Sequence, residues 1–333
     1  MLRRGWDAWC VFWARTRRNR NENENEPRQG GGASASKKLL AAIAVLAVAF
    51  AVFAAIPAVA DDSDAAEAKY YVGGTGANDN TGDGSADKPF ATIWKAIEKE
   101  DVSIIVLKAN LSEHVNVPEG KTVELDLNGY RLSYTGEETN NLKATIKNEG
   151  VLTISDSSKA GSGTVEAVEG FISNKNTATS AVANLGTLTI NGGTLKVTCN
   201  SNSYGYYVIN NAGSVVVNGG KVLMDENLAK QRTNTSVIKN GNDDLTGTNT
   251  KLGNDIKVYD GKAASLIITG GEFVSPTYIK NCENGVIEVT GGSFTVPDVA
   301  TLWRQSIFFN YGDLTISGGE FNTKTENNRF FRN

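Results

Sequence analysis

Residues 310–321 read Asn-Tyr-Gly-Asp-Leu-Thr-Ile-Ser-Gly-Gly-Glu-Phe, and much of the chain beyond residue 140 consists of imperfect copies of that stretch. Residues 183–195 give Ala-Asn-Leu-Gly-Thr-Leu-Thr-Ile-Asn-Gly-Gly-Thr-Leu, and residues 210–222 give Asn-Asn-Ala-Gly-Ser-Val-Val-Val-Asn-Gly-Gly-Lys-Val. Two further copies end at Phe273 and Phe294. Leu314 and Ile316, like Leu188 and Ile190, alternate with polar residues, the two-residue period of a strand buried on one face. A Gly-Gly pair stops each strand, because a residue without Cβ tolerates a sharp corner with positive φ. One large apolar residue (Leu195, Val222, Phe273, Phe294 or Phe321) then turns inward again.

A second unit, apolar-apolar-x-Asn, recurs ahead of these strands. Ile146-Lys147-Asn148, Val208-Ile209-Asn210, Val237-Ile238-Lys239-Asn240 and Ile279-Lys280-Asn281 are its copies. Two or three short strands and two corners therefore make one turn of a coil. The second glycine of each pair falls at 193, 220, 271, 292 and 319, with gaps of 27, 51, 21 and 27 residues. The long gap reads as two turns, with residues 236–244 the leading half of a missing rung and the polar run to Gly261 inserted into it. Units this short cannot bury an apolar face alone, so they are expected to stack into a continuous column. Rungs about 4.8 Å apart align the recurrent asparagines, whose amides are then expected to hydrogen-bond from rung to rung.

The Asn-x-Gly-x-Leu-Thr-Ile-x-Gly-Gly-x-Phe rhythm resembles the right-handed parallel β-helix of the pectate-lyase-like superfamily, particularly its secreted adhesin-like and surface proteins. The likeness runs over residues 70–333 and implies an all-β solenoid. It implies little about activity, since that scaffold carries lyases, hydrolases, tailspikes and plain stalks.

Ahead of the repeats the composition changes three times. Residues 1–38 hold nine Lys/Arg and four Asp/Glu, an Asn-Glu run at 21–26 and Gly30-Gly31-Gly32, and they present no candidate core. They read as a disordered basic n-region, or as an over-extended gene start. Nucleic-acid binding is the sharper alternative, but no folded module accompanies the charge. Residues 39–60 carry no charge and are mostly Ala, Val, Leu, Ile and Phe. Pro57-Ala58-Val59-Ala60 fits a small-x-small cleavage site, which favours a signal peptide. The apolar run also approaches the roughly 20 residues of a membrane span, which favours an uncleaved anchor. Residues 61–333 end up outside in both cases, and 61–69 form an acidic tether. The whole chain is −4 and residues 1–38 contribute +5, leaving −9 for the exported part, a balance that disfavours nucleic acids and anionic membranes as its partners. Its two cysteines, Cys199 and Cys282, do not make a disulfide scaffold, and Cys282 reads as buried in its rung.

Residues 70–130 read as an N-terminal cap with the first strands, and 131–333 as rungs. Pro89 to Ile97 is expected to form a short helix capped by Thr92, with Ile93, Ala96 and Ile97 on one face. That helix would cover the open end of the apolar column and the unpaired strand edges. Strands are expected at 103–107, 114–117 and 123–127, with turns at Pro118-Glu119-Gly120 and Asn128-Gly129.

Candidate chemistry is thin, and no catalytic residue, metal ligand or cofactor is assigned. Asp79-Asn80-Thr81-Gly82-Asp83-Gly84 imitates the front of a calcium loop, but an EF-hand requires Glu where Phe90 stands. His114, the single histidine, excludes a two-histidine metal site and reads as a strand residue. A β-helix lyase needs a basic residue beside carboxylates: Arg131, Arg232 and Arg304 are conceivable bases, and Asp225-Glu226 or Asp243-Asp244 conceivable calcium ligands. A glycosidase needs two carboxyl groups at a fixed separation, and the Asn-Thr-Asp and Gly-His-Gly motifs of polygalacturonases are absent. Tyr204, Tyr206 and Tyr207 form a candidate sugar platform, one member of which could instead enter the core. Asn110 and Asn234 are formal glycosylation acceptors. Phe330-Phe331-Arg332-Asn333 opens a rung that is not completed, so a longer protein or a partner is expected to cover it. The leading expectation is an exported adhesin-like or structural surface protein without catalysis, with surface glycans or other surface proteins as partners. A polysaccharide lyase or hydrolase, and a non-catalytic glycan-binding module, are the alternatives.

Overall fold

A computed structural model describes residues 67–134, 143–168, 179–198, 206–224, 236–241, 263–275, 277–297, 306–323 and 329–332. The expectations for the basic segment, the apolar run 39–60 and the start of the tether lie outside them. Among the described residues no helix is long and apolar enough to cross a membrane.

The repeats stack as expected. Starting at Val102, eight successive rungs each give one strand to each of three sheets, in which the strand pairs are parallel. The Leu-Thr-Ile strands form the leading sheet: Thr187–Ile190 lies between Val151–Ser155 and Ser214–Val217, with Leu188 aligned on Leu152 and Val215. After the glycine corner, Thr194–Thr198 pairs with Thr164–Val168 and Lys221–Met224 in a second sheet. The asparagine-bearing strands, among them Thr179–Asn184 and Tyr206–Asn211, form the third. The inward residues of all three sheets merge into one apolar column. Along it, Phe273, Phe294 and Phe321 stack nearly parallel, with ring centroids 4.8 and 4.9 Å apart.

The corners explain the glycines. Gly220 has φ +76° and a Cβ there would lie 2.6 Å from Gly193 O, so both conformation and space exclude a side chain. At the other corner, Gly213 has no room for a Cβ because Gly186 O already occupies the place.

Six asparagines line the corner between the third and leading sheets. Asn148 Nδ2 donates to Asn184 Oδ1 at 2.7 Å, and the chain continues through Asn211, Asn240, Asn281 and Asn310 at 2.8–2.9 Å. Each donor amide also reaches a main-chain carbonyl of the next rung, as Asn184 does with Ser214 O at 3.0 Å. The sequence reading placed Asn210 in this ladder, and the register corrects it to Asn211. Asn210 is aligned with Lys239 on the opposite face, whereas Asn211 faces Asn240. Val117 occupies the ladder position one rung before Asn148, and Asn148 Oδ1 has no hydrogen-bond partner among the described residues.

The reading of the 51-residue gap as two rungs also fails. Ser214–Val217 pairs directly with Ala264–Ile268, and Lys221–Met224 directly with Glu272–Val274. Residues 236–240 are therefore the third strand of a rung already counted, and the extra length lies in the connections around them. Counting glycine pairs could not distinguish an added rung from an added loop.

At the N-terminal end, Ala68–Val72 forms the outermost strand of the leading sheet, beginning two residues earlier than expected, and pairs with Val102–Leu107. The helix is Ile93–Ile97, with Thr92 Oγ1 accepting from Lys95 N and Ile93, Ala96 and Ile97 buried, as expected. It packs against the strands at 68–72, 102–107 and 115–117. Strands Val102–Leu107, Val115–Val117 and Thr122–Asp126 match the expected ones to within a residue or so, and a two-residue strand at Leu111–Ser112 was missed.

N211A leaves Asn184 without its acceptor and Asn240 without its donor, at about 1–3 kcal/mol for each stranded buried group. N210A strands no ladder partner, so urea denaturation is expected to give a clearly lower midpoint for N211A than for N210A.

Candidate functional site

The densest charged constellation among the described residues lies on the outer face of the second sheet. Glu166 stands in the middle of Thr164–Val168, and sheet register brings Ser133 to one side of it and Lys196 to the other. Its side chain is only 5% exposed, although it faces away from the apolar column. Arg131 Nη1 reaches Glu166 Oε2 at 3.3 Å, while Lys196 Nζ lies 3.2 Å from Oε1. The Thr198 hydroxyl donates to the same Oε1 at 2.6 Å. Burial pushes the Glu166 carboxyl up, but the Thr198 hydrogen bond and the Lys196 and Arg131 charges together outweigh it and hold the group below its ordinary value.

This arrangement is the reverse of the one a lyase needs. A base-catalysed elimination draws a cation toward several carboxylates, whereas here one carboxylate is divided between two cations and a hydroxyl. A carboxyl held below its usual range is a poor proton donor at neutral pH and a weak base. What the cluster does is clamp three neighbouring rungs together across strands that are far apart in sequence.

Other acidic groups are bound to the backbone. Asp79 Oδ1 accepts from Ala91 N at 2.7 Å and Thr92 N at 3.1 Å, and its Oδ2 accepts from the Thr92 hydroxyl at 2.8 Å. Asp83 accepts from Ser85 N at 2.9 Å. The segment that imitated a calcium loop therefore directs Asp79 at the chain ahead of the cap helix and Asp83 at its own loop, and no group of three or more His, Cys, Asp or Glu is placed to hold a metal among the described residues. Glu113 takes the first two helical amides, Oε2 from Ile93 N at 2.9 Å and Oε1 from Trp94 N at 3.0 Å. Burial raises its carboxyl above the ordinary value despite those two amides. Asp126 and Asp156 tie the 156–163 loop to the preceding rung, as in Gly129 N to Asp156 Oδ1 at 2.8 Å and Ser157 N to Asp126 Oδ1 at 2.9 Å.

The remaining expected sites are placed as follows. His114 Nδ1 lies 2.7 Å from Ala144 O and the ring packs on Tyr134. Tyr206 is fully buried in the apolar column and Tyr207 is 8% exposed, so these two do not present an open sugar platform. Lys239 Nζ sits 5.9 Å from the Tyr207 ring centroid. Cys282 is buried at the asparagine corner, where its amide donates to Asn240 O. Asn110 is exposed, and its Oδ1 accepts from Arg131 N at 2.8 Å. Arg232, Arg304, Asp225, Glu226, Asp243, Asp244, Tyr204, Cys199 and Asn234 lie outside the described residues.

Sequence reasoning missed Glu166, Lys196, Thr198 and Glu113. Aligning the residues that follow each glycine corner would have put Glu166 beside Lys196, but the 163 corner lacks the Gly-Gly pair. Comparisons with family models, curated proteins and solved structures give no match.

The two glutamates give opposite pH signs. Glu166 has a lowered folded pKa, so its stabilisation is present above the unfolded carboxyl pKa and is lost as pH falls through the folded value. Glu113 has a raised folded pKa, so its linked contribution is full below the unfolded pKa and is lost as pH rises through the folded one. Unfolding free energies across the acid range should show the wild-type advantage over E166Q shrinking on acidification, and the balance against E113Q moving toward wild type.

Proposed function

We propose that this chain is an exported cell-surface protein whose β-helix serves as a structural or adhesin-like element, not as a catalyst. The observation that carries the reading is the internal use of its polar side chains. The asparagine ladder and Glu166 spend their hydrogen bonds on neighbouring rungs, and Asp79 spends its own on the amides just ahead of the cap helix. Such a chain is suited to holding a long lateral surface rigid. Export is supported by the charge-free run at 39–60, the Pro57-Ala58-Val59-Ala60 segment and the charge of −9 on everything that follows.

Two measurements check it. With the full chain tagged at its C-terminus and produced in intact bacterial cells, external protease is expected to remove the tag while a cytosolic control survives. A protected tag would overturn export. The purified chain, incubated with acidic and neutral polysaccharides, is expected to release no shortened or unsaturated product; sustained release abolished by a point substitution would replace this reading with an enzymatic one.

A further inference from the structure

Five asparagines are followed directly by glycine: Asn128, Asn191, Asn218, Asn240 and Asn284. In such a pair the side-chain amide carbon and the next main-chain nitrogen can meet, because glycine sets no Cβ in the way. The fold treats the five differently. Gly129 N donates to Asp156 Oδ1 at 2.8 Å, and Asn128 Nδ2 donates to Leu107 O at 3.0 Å. Gly241 N donates to Asn211 O at 2.9 Å, and Asn240 is held in the buried ladder. Gly285 N donates to Cys282 O at 2.9 Å. Gly219 N donates to Ile190 O at 3.2 Å, while Asn218 donates to Asn191 Oδ1 at 3.0 Å and accepts from the Thr269 hydroxyl at 2.8 Å. Asn191 differs from the other four. It is the exposed member, and among the described residues neither its Nδ2 nor Gly192 N makes a hydrogen bond. Later corners give their first glycine a shared carbonyl, as Gly270 N has in Val217 O at 3.2 Å. Gly192 instead follows a rung that turns through the 156–163 loop, where Ile154 O takes only Asn191 N, at 2.9 Å.

We propose that Asn191 is a self-modification site, at which Gly192 N attacks Asn191 Cγ and converts the asparagine to aspartate and isoaspartate. Hydroxide takes the Gly192 amide proton, the nitrogen bonds to Cγ, and negative charge collects on Oδ1. Asn218 Nδ2 already donates to that oxygen from 3.0 Å, the placement that stabilises a developing oxyanion. The Cγ–Nδ2 bond then breaks and ammonia leaves with a proton from water, closing a succinimide. Water reopens the ring at Cγ to give aspartate, or at the main-chain carbonyl to give isoaspartate. The second product carries an extra methylene in the main chain between Thr187–Ile190 and Thr194–Thr198. Lys196 and Thr198 on the latter strand hold Glu166, so the modification loosens the register of that strand against the rungs beside it.

The test incubates the full chain, purified in mild detergent, in mildly alkaline buffer and maps its peptides by mass spectrometry that separates aspartate from isoaspartate. Asn218 is the internal control, because residues 190–193 (Ile-Asn-Gly-Gly) and 217–220 (Val-Asn-Gly-Gly) are nearly the same sequence. Asn191 is expected to convert about tenfold or more faster than Asn218 in the folded chain, and the two rates to converge in urea. Asn218→Ala is expected to slow conversion at Asn191 by about threefold or more. Gly192→Ala is expected to block it while keeping the fold, since a Cβ there comes no closer than 3.2 Å to another atom and the backbone is not left-handed. The isoaspartate fraction is expected to unfold at a lower urea concentration than freshly prepared Asn191→Asp, which has the same charge without the extra methylene. Equal rates at Asn191 and Asn218 in the folded chain overturn the proposal, as does a difference that persists in urea. Undiminished conversion in Asn218→Ala or Gly192→Ala, or an isoaspartate fraction as stable as Asn191→Asp, overturns it too.

Discussion

The corner where each asparagine strand turns into the next leading strand fixes the rest of the structure. Its side-chain amide donates to the same amide one rung on and to a main-chain carbonyl beyond it, in a place where Asn184, Asn211 and Asn240 are entirely buried. Burying an amide without partners costs a few kcal/mol, so each asparagine is tolerable only if its neighbours stand at the right height. A slip of one residue in any strand would send the amide to the outer face and put its neighbour into the corner. The ladder thus converts a polar burial cost into a register constraint, which the apolar column, being nearly uniform in chemistry, cannot impose by itself.

Packing and polar satisfaction then support each other. The glycines at the two corners let backbones approach closely enough for the ladder to form. They also bring Phe273, Phe294 and Phe321 to stacking distance on the other side of the column. On the outer faces, where water competes, isolated exposed pairs such as Lys221 with Glu272 at 2.8 Å add little. Glu166 is different because it is withdrawn from water while held by three partners, so removing one of them leaves a charge poorly compensated. Glu113 plays a comparable part at the cap, where its carboxylate satisfies helix amides that have no intrahelical acceptor.

Much of this architecture was legible because it depends on residue types with few alternatives. Gly-Gly before a single large apolar residue marks a corner, and Leu-x-Ile between polar residues marks a half-buried strand. Thr92 ahead of Ile93, Ala96 and Ile97 marked the cap helix. The errors share a cause: periodicity gives spacing but not register. Val208-Ile209-Asn210-Asn211 offers two asparagines to one ladder, and only the pairing with Asn240 decides between them. The 51 residues between Gly220 and Gly271 have nearly the length of two rungs, and only the direct pairing of 214–217 with 264–268 shows one. The Glu166 cluster was out of reach for the same reason, since Arg131, Glu166 and Lys196 are about one turn of the coil apart and ordinary in local context. Tyr206 and Tyr207 looked like a surface pair because a polar neighbourhood in sequence is not exposure in the fold.

The central claim is that the rungs carrying Asn148 to Asn310 stack in one register fixed by the asparagine corner. Through-space NMR contacts between side-chain amides test it directly on the isotopically labelled protein. The account predicts a chain of contacts from Asn148 through Asn184, Asn211, Asn240 and Asn281 to Asn310, with Asn210 outside it. Contacts that run through Asn210, or that break between Asn240 and Asn281 as an additional rung would require, contradict it.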